Sequence, residues 1–334
     1  MALQQFYADG GLQMTAKKHV NRQKKPLPIS RGLGLCYVCL FLVIIFFKNA
    51  SASAVWVTEG LRICVLRLIP SLFPFMVLSS LLLSFDTGRL IPRTVKRIFK
   101  AAFGVGADGA SAIVIGWACG FPVGAKCACE LVSDERIDIN EYKKIVFISS
   151  TPSPAFLIGA VGRGMLGSVS VGVGLYVISL VSSMLIGVVL GRIFKSNVSE
   201  APPTAYLRTP KLSESLTQAV SSSALGMLNV CAFVIFFCAF LGVLEGVLQP
   251  LCLSHTSMSF IFTVFELTTG LARITSYASG LTLPMCSLAV GWSGLSVHFQ
   301  TLSVCSSQPL GAKLLLAIHA LRALLCFLLA LLLW

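Results

Sequence analysis

Residues 109–132 read GASAIVIGWACGFPVGAKCACELV. The run is apolar at both ends, yet its middle holds Gly116, Gly120, Pro122, Gly124 and Lys126, with Glu130 one helical turn beyond the lysine. Glycine loosens a helix, proline removes a donor and clashes with the preceding turn, and ionisable groups are costly in hydrocarbon. A straight membrane span is a weak reading of that composition. A re-entrant hairpin fits it, because irregular backbone is tolerated at membrane depth where it lines a cavity.

The rest of the chain supports a membrane setting. Its 334 residues are 56% apolar and 12% charged, with mean hydropathy +0.86. A soluble chain would carry about 25% charged residues, so a water-soluble enzyme is excluded as a class and an all-α polytopic membrane protein remains. Twenty-six basic residues face thirteen acidic ones, a net charge of +13. Nucleic-acid binding would need those bases on one folded face. They lie instead in short segments between apolar runs, the positive-inside pattern, so the expected partner is the lipid bilayer and not nucleic acid. The twelve cysteines sit mostly in apolar stretches. Cys36 and Cys39 have CxxC spacing but no polar companions, and they read as small hydrophobes with no metal. No phosphate-cradling loop is present for direct ATP coupling. His298 lacks a neighbouring nucleophile with an orienting acid, and an intramembrane hydrolase built on Ser153 or Ser293 has no support, so no catalytic residues are assigned.

Along the chain, residues 1–31 form a basic tail, expected to be cytoplasmic. Gly32 to Phe47 is a sixteen-residue apolar run, roughly 24 Å of helix. With Ala50-Ser51-Ala52 after it, 32–54 also reads as a cleaved signal, although the unusually long basic region favours a retained span. A Pro-flanked stretch, Leu68 to Phe75, and the basic loop Arg89 to Lys100 complete an N-terminal section, 32–108. Residues 109–191 form a first repeat: the hairpin 109–132, a charged surface helix over 133–144, a helix 145–166 broken at Ser149-Ser150-Thr151-Pro152-Ser153-Pro154, and a span 169–191. Residues 192–224 are a cytoplasmic linker ending in an amphipathic lead-in. Residues 225–334 form a second repeat: a span 225–248, a hairpin 259–283 around Glu266, Thr268, Thr269, Gly270 and Arg273, a helix 284–305 broken at Gly291 and Ser293-Gly294, and a last span 314–334.

Counted from a cytoplasmic N-terminus, the first hairpin enters from the cytoplasm and the second from the other side. That is the inverted-repeat arrangement of secondary transporters, with two re-entrant hairpins and two broken helices. Unwound backbone supplies polar partners at a depth where side chains alone are costly, and helix N-termini suit a carboxylate. The candidate solute-binding residues are therefore Gly120, Pro122, Gly124 and Lys126 of the first hairpin, with Thr151 and Ser153 of the first break. From the second repeat they are Glu266, Thr268, Thr269 and Gly270, with Ser293, Gly294, Ser296, His298 and Gln300. Lys126 either favours an anionic solute or snorkels to the surface beside Glu130. Glu266 either binds a coupling H+ or Na+ or accepts backbone amides, with Arg273 as its partner. His319 and Arg322 read as structural, and Asn229 and Glu245 are given no role. No cofactor is called for, and a homo-oligomer stays open.

Four stretches, Leu68 to Phe75, Gly120 to Lys126, Phe265 to Gly270 and Gly294 to Gln300, occur in the order seen in a known family. Over about residues 60–330 the chain resembles the sporulation integral membrane proteins called YlbJ, or stage V sporulation protein VV, which carry nucleoside-recognition (Gate) domains. The resemblance implies a fold similar to concentrative nucleoside transporters and a place in the outer forespore membrane of an endospore-forming bacterium. It also implies carriage of dipicolinic acid, a planar dianion at neutral pH. A non-transporting scaffold for cortex assembly and a nucleoside transporter are the alternatives.

Overall fold

The computed structural model describes residues 29–84, 91–196, 211–276 and 280–334, and every regular element among them is helical. The basic tail up to residue 28, the start of the basic loop, the heart of the linker (197–210) and residues 277–279 of the second hairpin reading lie outside the described residues.

By contact the chain divides after Lys48. The first unit contributes α1, Ile29–Lys48, whose twenty residues make about 30 Å of helix. The second begins with α2, Ala50–Ile63, which widens into a π-helical turn at Cys64–Leu68 and continues as α3, Ile69–Ser84. Pro70 gives the widening a cause, because in a regular helix its ring would strike the carbonyl four residues back, inside that turn. Then come α4 (Arg93–Phe103), α5 (Ala107–Cys119), α6 (Val123–Ser133) and α7 (Ile139–Ser149). A π-helical segment, Ala155–Arg163, leads to α8 (Val169–Ile193). After the linker come α9 (Leu212–Leu248), α10 (His255–Phe265), α11 (Leu267–Thr275), α12 (Thr282–Trp292), α13 (Gly294–Val304) and α14 (Ala312–Leu333).

Among the described residues α8, α9 and α14 are each long and apolar enough to cross a membrane. Val173, Val177 and Val181 on α8, Leu225 and Leu228 on α9, and Leu324 and Leu328 on α14 are exposed. Lipid explains those faces and water does not. The fold is that of a multi-pass α-helical membrane protein.

Two pairs of short helices double back. The arms α5 and α6 pack together, and a Cβ on Gly116 would stand 3.0 Å from the Cα of Gly124 across them. The arms α10 and α11 do the same, with a Cβ on Gly270 only 2.5 Å from the Cα of Thr263. Each doubled pair is followed by an interrupted helix, α7 with the π segment in one case and α12 with α13 in the other, and then by a long helix, α8 or α14. Small residues let the helices approach, as membrane packing requires. A Cβ on Gly291 of α12 would meet the Cα of Ala323 of α14 at 2.6 Å.

Two expectations change. The charged stretch 133–144 is not a surface helix: α7 starts at Ile139, capped by Asp138, and carries Glu141 and Lys144 inward. Both serve the backbone between α4 and α5. Glu141 accepts the Gly106 amide at 2.6 Å, and Lys144 donates to the Gly104 carbonyl and to Ser196 Oγ. Nor is 211–223 a separate amphipathic helix, since it runs unbroken into the span as one 37-residue helix.

Candidate functional site

The first hairpin turns at Gly120-Phe121-Pro122, with a cis peptide between Phe121 and Pro122. Gly120 sits at φ 79°, ψ −178°, a region only glycine enters readily. The tip lies against the break of α7. Phe121 N donates to the Thr151 carbonyl at 3.0 Å, and a Cβ on Gly120 would come 2.5 Å from Ser153 N. Ser153 opens the π segment, its Oγ accepting Phe156 N at 3.2 Å. Thr151 and Ser153 are buried, and the Thr151 hydroxyl has no hydrogen-bond partner.

The second tip is Glu266, extended at φ −141°, ψ 123° between α10 and α11. Its carboxylate caps α11, accepting Thr269 N at 2.7 Å, and its carbonyl accepts Gly270 N at 3.0 Å. The side chain is 2% exposed. The break between α12 and α13 presses on this tip, since a Cβ on Gly294, at φ 79°, would stand 3.0 Å from Leu267 N. Ser293 beside it also adopts a left-handed φ of 70°. Ser293 Oγ donates to the Val290 carbonyl at 3.0 Å, and Gln300 Nε2 donates to Ser296 Oγ at 3.2 Å.

Residues of both tips line one cleft. Phe121, Pro152, Ser153 and Phe156 line it from the first hairpin and break; Glu266, Leu267, Thr268, Val297 and Gln300 line it from the second. Leu68, Leu72, Val230 and Val234 supply an apolar wall from the first π turn, α3 and α9.

The remaining expected residues have other places. Gly124 and Gly270 let the hairpin arms close. Thr269 is held by Glu266. Lys126 is not among the residues lining the cleft: its side chain is 28% exposed and lies 3.9 Å from Glu130 along α6. Arg273 does not pair with Glu266. It binds Glu245 of α9 and lies over the Phe262 ring, 3.8 Å from its centroid. Of the two roles expected for Glu266 the structure displays the second, since its carboxylate accepts a backbone amide, Thr269 N, and holds the start of α11.

Sequence reasoning gave Arg322 a structural reading and left it out of the site. It reaches from α14 to donate to the Ser150 carbonyl, and it is 1% exposed. His319, one turn before it, meets His298 edge to face at 4.6 Å, and His298 meets Trp292 at 4.7 Å. An arginine and a histidine in mid-span were signal enough, since ionisable groups at membrane depth mark function by default.

No family model matches the chain, and no solved structure matches it. Among curated proteins it is similar to the sporulation integral membrane protein YlbJ of Bacillus subtilis (strain 168), 24% identical over 329 residues covering 88% of this chain and 81% of that protein. A likeness reaching across most of both sequences supports the assignment of this chain to the YlbJ family.

Proposed function

We propose that the chain is a secondary transporter of a small anionic solute, dipicolinate foremost, acting in the outer forespore membrane during sporulation. The observation that carries this reading is that two hairpin tips, the first helix break and the helix after the second break line one cleft with a mixed polar and apolar lining. An aromatic dianion needs both kinds of lining: a flat apolar wall for its ring and polar groups for its ends. The resemblance of the four motifs to the YlbJ family, and the relative's description as a sporulation integral membrane protein, support the same reading.

In this proposal the two hairpin units have opposite sidedness, as in concentrative nucleoside transporters, with the N-terminus cytoplasmic. Rocking of the hairpins against the long helices opens the cleft to each side in turn. Glu266 then has two duties. It holds α11, and it is the group at which a coupling H+ or Na+ would act, because it is the acid lining the cleft and its side chain forms no ion pair among the described residues.

The test is the dipicolinate content of spores carrying Glu266→Gln, with the protein at normal level. Normal content in the Glu266 variant counts against transport and favours the scaffold alternative. Competition by nucleosides for dipicolinate uptake in vesicles would favour a nucleoside carrier. Cysteine labelling of the two tips from each side of the membrane checks the opposed orientation.

A further inference from the structure

Arg322 is a buried cation without a counter-ion among the described residues. Removing a guanidinium from water carries a penalty of several kcal/mol unless an anion and hydrogen bonds offset it. Among the described residues no carboxylate meets it. The acids near the cleft and the hairpins are otherwise engaged: Glu266 on the Thr269 amide, Glu245 on Arg273, Glu130 on Lys126 and Asp108 on Arg136.

The pattern of the unmet donors is specific. Nη1 is spent on the Ser150 carbonyl, while Nε and Nη2 have no partner. These two nitrogens form one edge of the planar fork, and that edge accepts a carboxylate side-on through two parallel hydrogen bonds. Elsewhere in the same protein Arg136 uses this edge on Asp108, with Nε to Oδ2 at 3.0 Å and Nη2 to Oδ1 at 2.7 Å. Arg322 presents the same edge with nothing on it.

Its surroundings match. His319 Nε2, both ring nitrogens of His298 and the Thr151 hydroxyl are also buried without partners. Ser150 and Thr151 run directly into Pro152 and Ser153, and His298 lies between Val297 and Gln300, all four of which line the cleft. Gln300 Oε1 is unpartnered as well.

We infer that Arg322, with His298 and His319 beside it, is a carboxylate subsite set behind the cleft wall at Ser153 and Gln300, and that one carboxylate of a dicarboxylate solute reaches its Nε–Nη2 edge when the wall parts. The inference deepens the transport reading and rests on it for the cleft as the solute's place. It differs in what it needs: a carboxylate, whichever molecule bears it.

The experiment uses the full chain in lipid nanodiscs, with affinity measured for dipicolinate, isophthalate and uridine. Arg322→Gln should weaken both dicarboxylates roughly 10- to 100-fold, the range for hydrogen bonds to a charged group, and leave uridine unchanged. Arg322→Lys keeps the charge and a donor for Ser150 but lacks the fork, so it should fold with the wild-type melting temperature and show an intermediate loss. Wild-type dicarboxylate affinity in either folded variant overturns the subsite and leaves the transport reading standing. Arginine-dependent binding of isophthalate without binding of dipicolinate upholds the subsite and removes dipicolinate as the solute. Failure of the wild-type chain to bind any dicarboxylate overturns both.

Discussion

Gly120→Ala is the sharpest probe of the first hairpin. At φ 79°, ψ −178° the backbone lies where a Cβ is strained whatever space surrounds it, at a cost of about 1–3 kcal/mol. Space is also lacking: the new methyl would stand 2.5 Å from Ser153 N and 2.9 Å from Ser153 Cβ. Relief requires the tip and the 150–153 segment to part by roughly 1 Å, the scale of an overpacked core, adding about 1–3 kcal/mol. The two effects are independent, and together they reach about 4 kcal/mol, equivalent to a melting temperature lower by roughly 6 °C for a chain of 334 residues. Gly159→Ala is the control, because a Cβ there meets nothing within 4 Å and φ is not positive. The assay is thermal unfolding of the purified chain, with dipicolinate content of spores alongside. Equal melting temperatures for Gly120→Ala, Gly159→Ala and wild type would refute the tip geometry. Normal dipicolinate content in spores carrying a Gly120→Ala protein that melts roughly 6 °C low would leave the tip geometry standing and count against its part in transport.

Other outcomes follow from the same contacts. Glu266→Gln keeps an oxygen for the Thr269 amide and should leave the melting temperature nearly unchanged while lowering solute accumulation. Glu266→Ala loses the cap as well and should cost about 1 kcal/mol in thermal unfolding. Arg273→Met keeps a stem over Phe262 but frees Glu245; the pair is partly exposed, so solvent screening limits the loss to about 1 kcal/mol, read from the same melts. Cys129 on α6 and Cys305 after α13 have sulfurs 3.3 Å apart. A mild thiol oxidant should join them, seen as a two-hydrogen mass loss, and arrest uptake in vesicles until a reductant is added.

The helical class and the interrupted segments were legible because their signals are local. Glycine, proline and ionisable groups in mid-run mark a break wherever the chain goes next, and the 109–132 stretch does break at Gly120 and the 259–283 stretch at Glu266. Partnerships were not legible, because they join residues far apart in sequence. Arg273 sits seven residues from Glu266 yet binds Glu245, across from another helix. Arg322 lies in an uninterrupted apolar run, and only the fold brings its guanidinium to Ser150, 172 positions earlier. Glu141 and Lys144 looked like a wetted surface because mixed charge usually is one. Here they face the carbonyls and amides of a turn whose own sequence, Gly104-Val105-Gly106, gives no hint of needing them.

The length of α9 has a mechanical meaning. Thirty-seven residues make a rod of about 55 Å, whereas a bilayer's hydrocarbon is about 30 Å thick, so an upright α9 projects well into water. Its projecting start carries the Lys211–Glu214 ion pair, and its inner stretch supplies Val230 and Val234 to the cleft wall. A stiff lever with its handle in water and its working edge on the cleft converts a 5° tilt into roughly 5 Å at the far end. Whatever grips residues 212–224 from outside therefore has leverage over how wide the cleft stands.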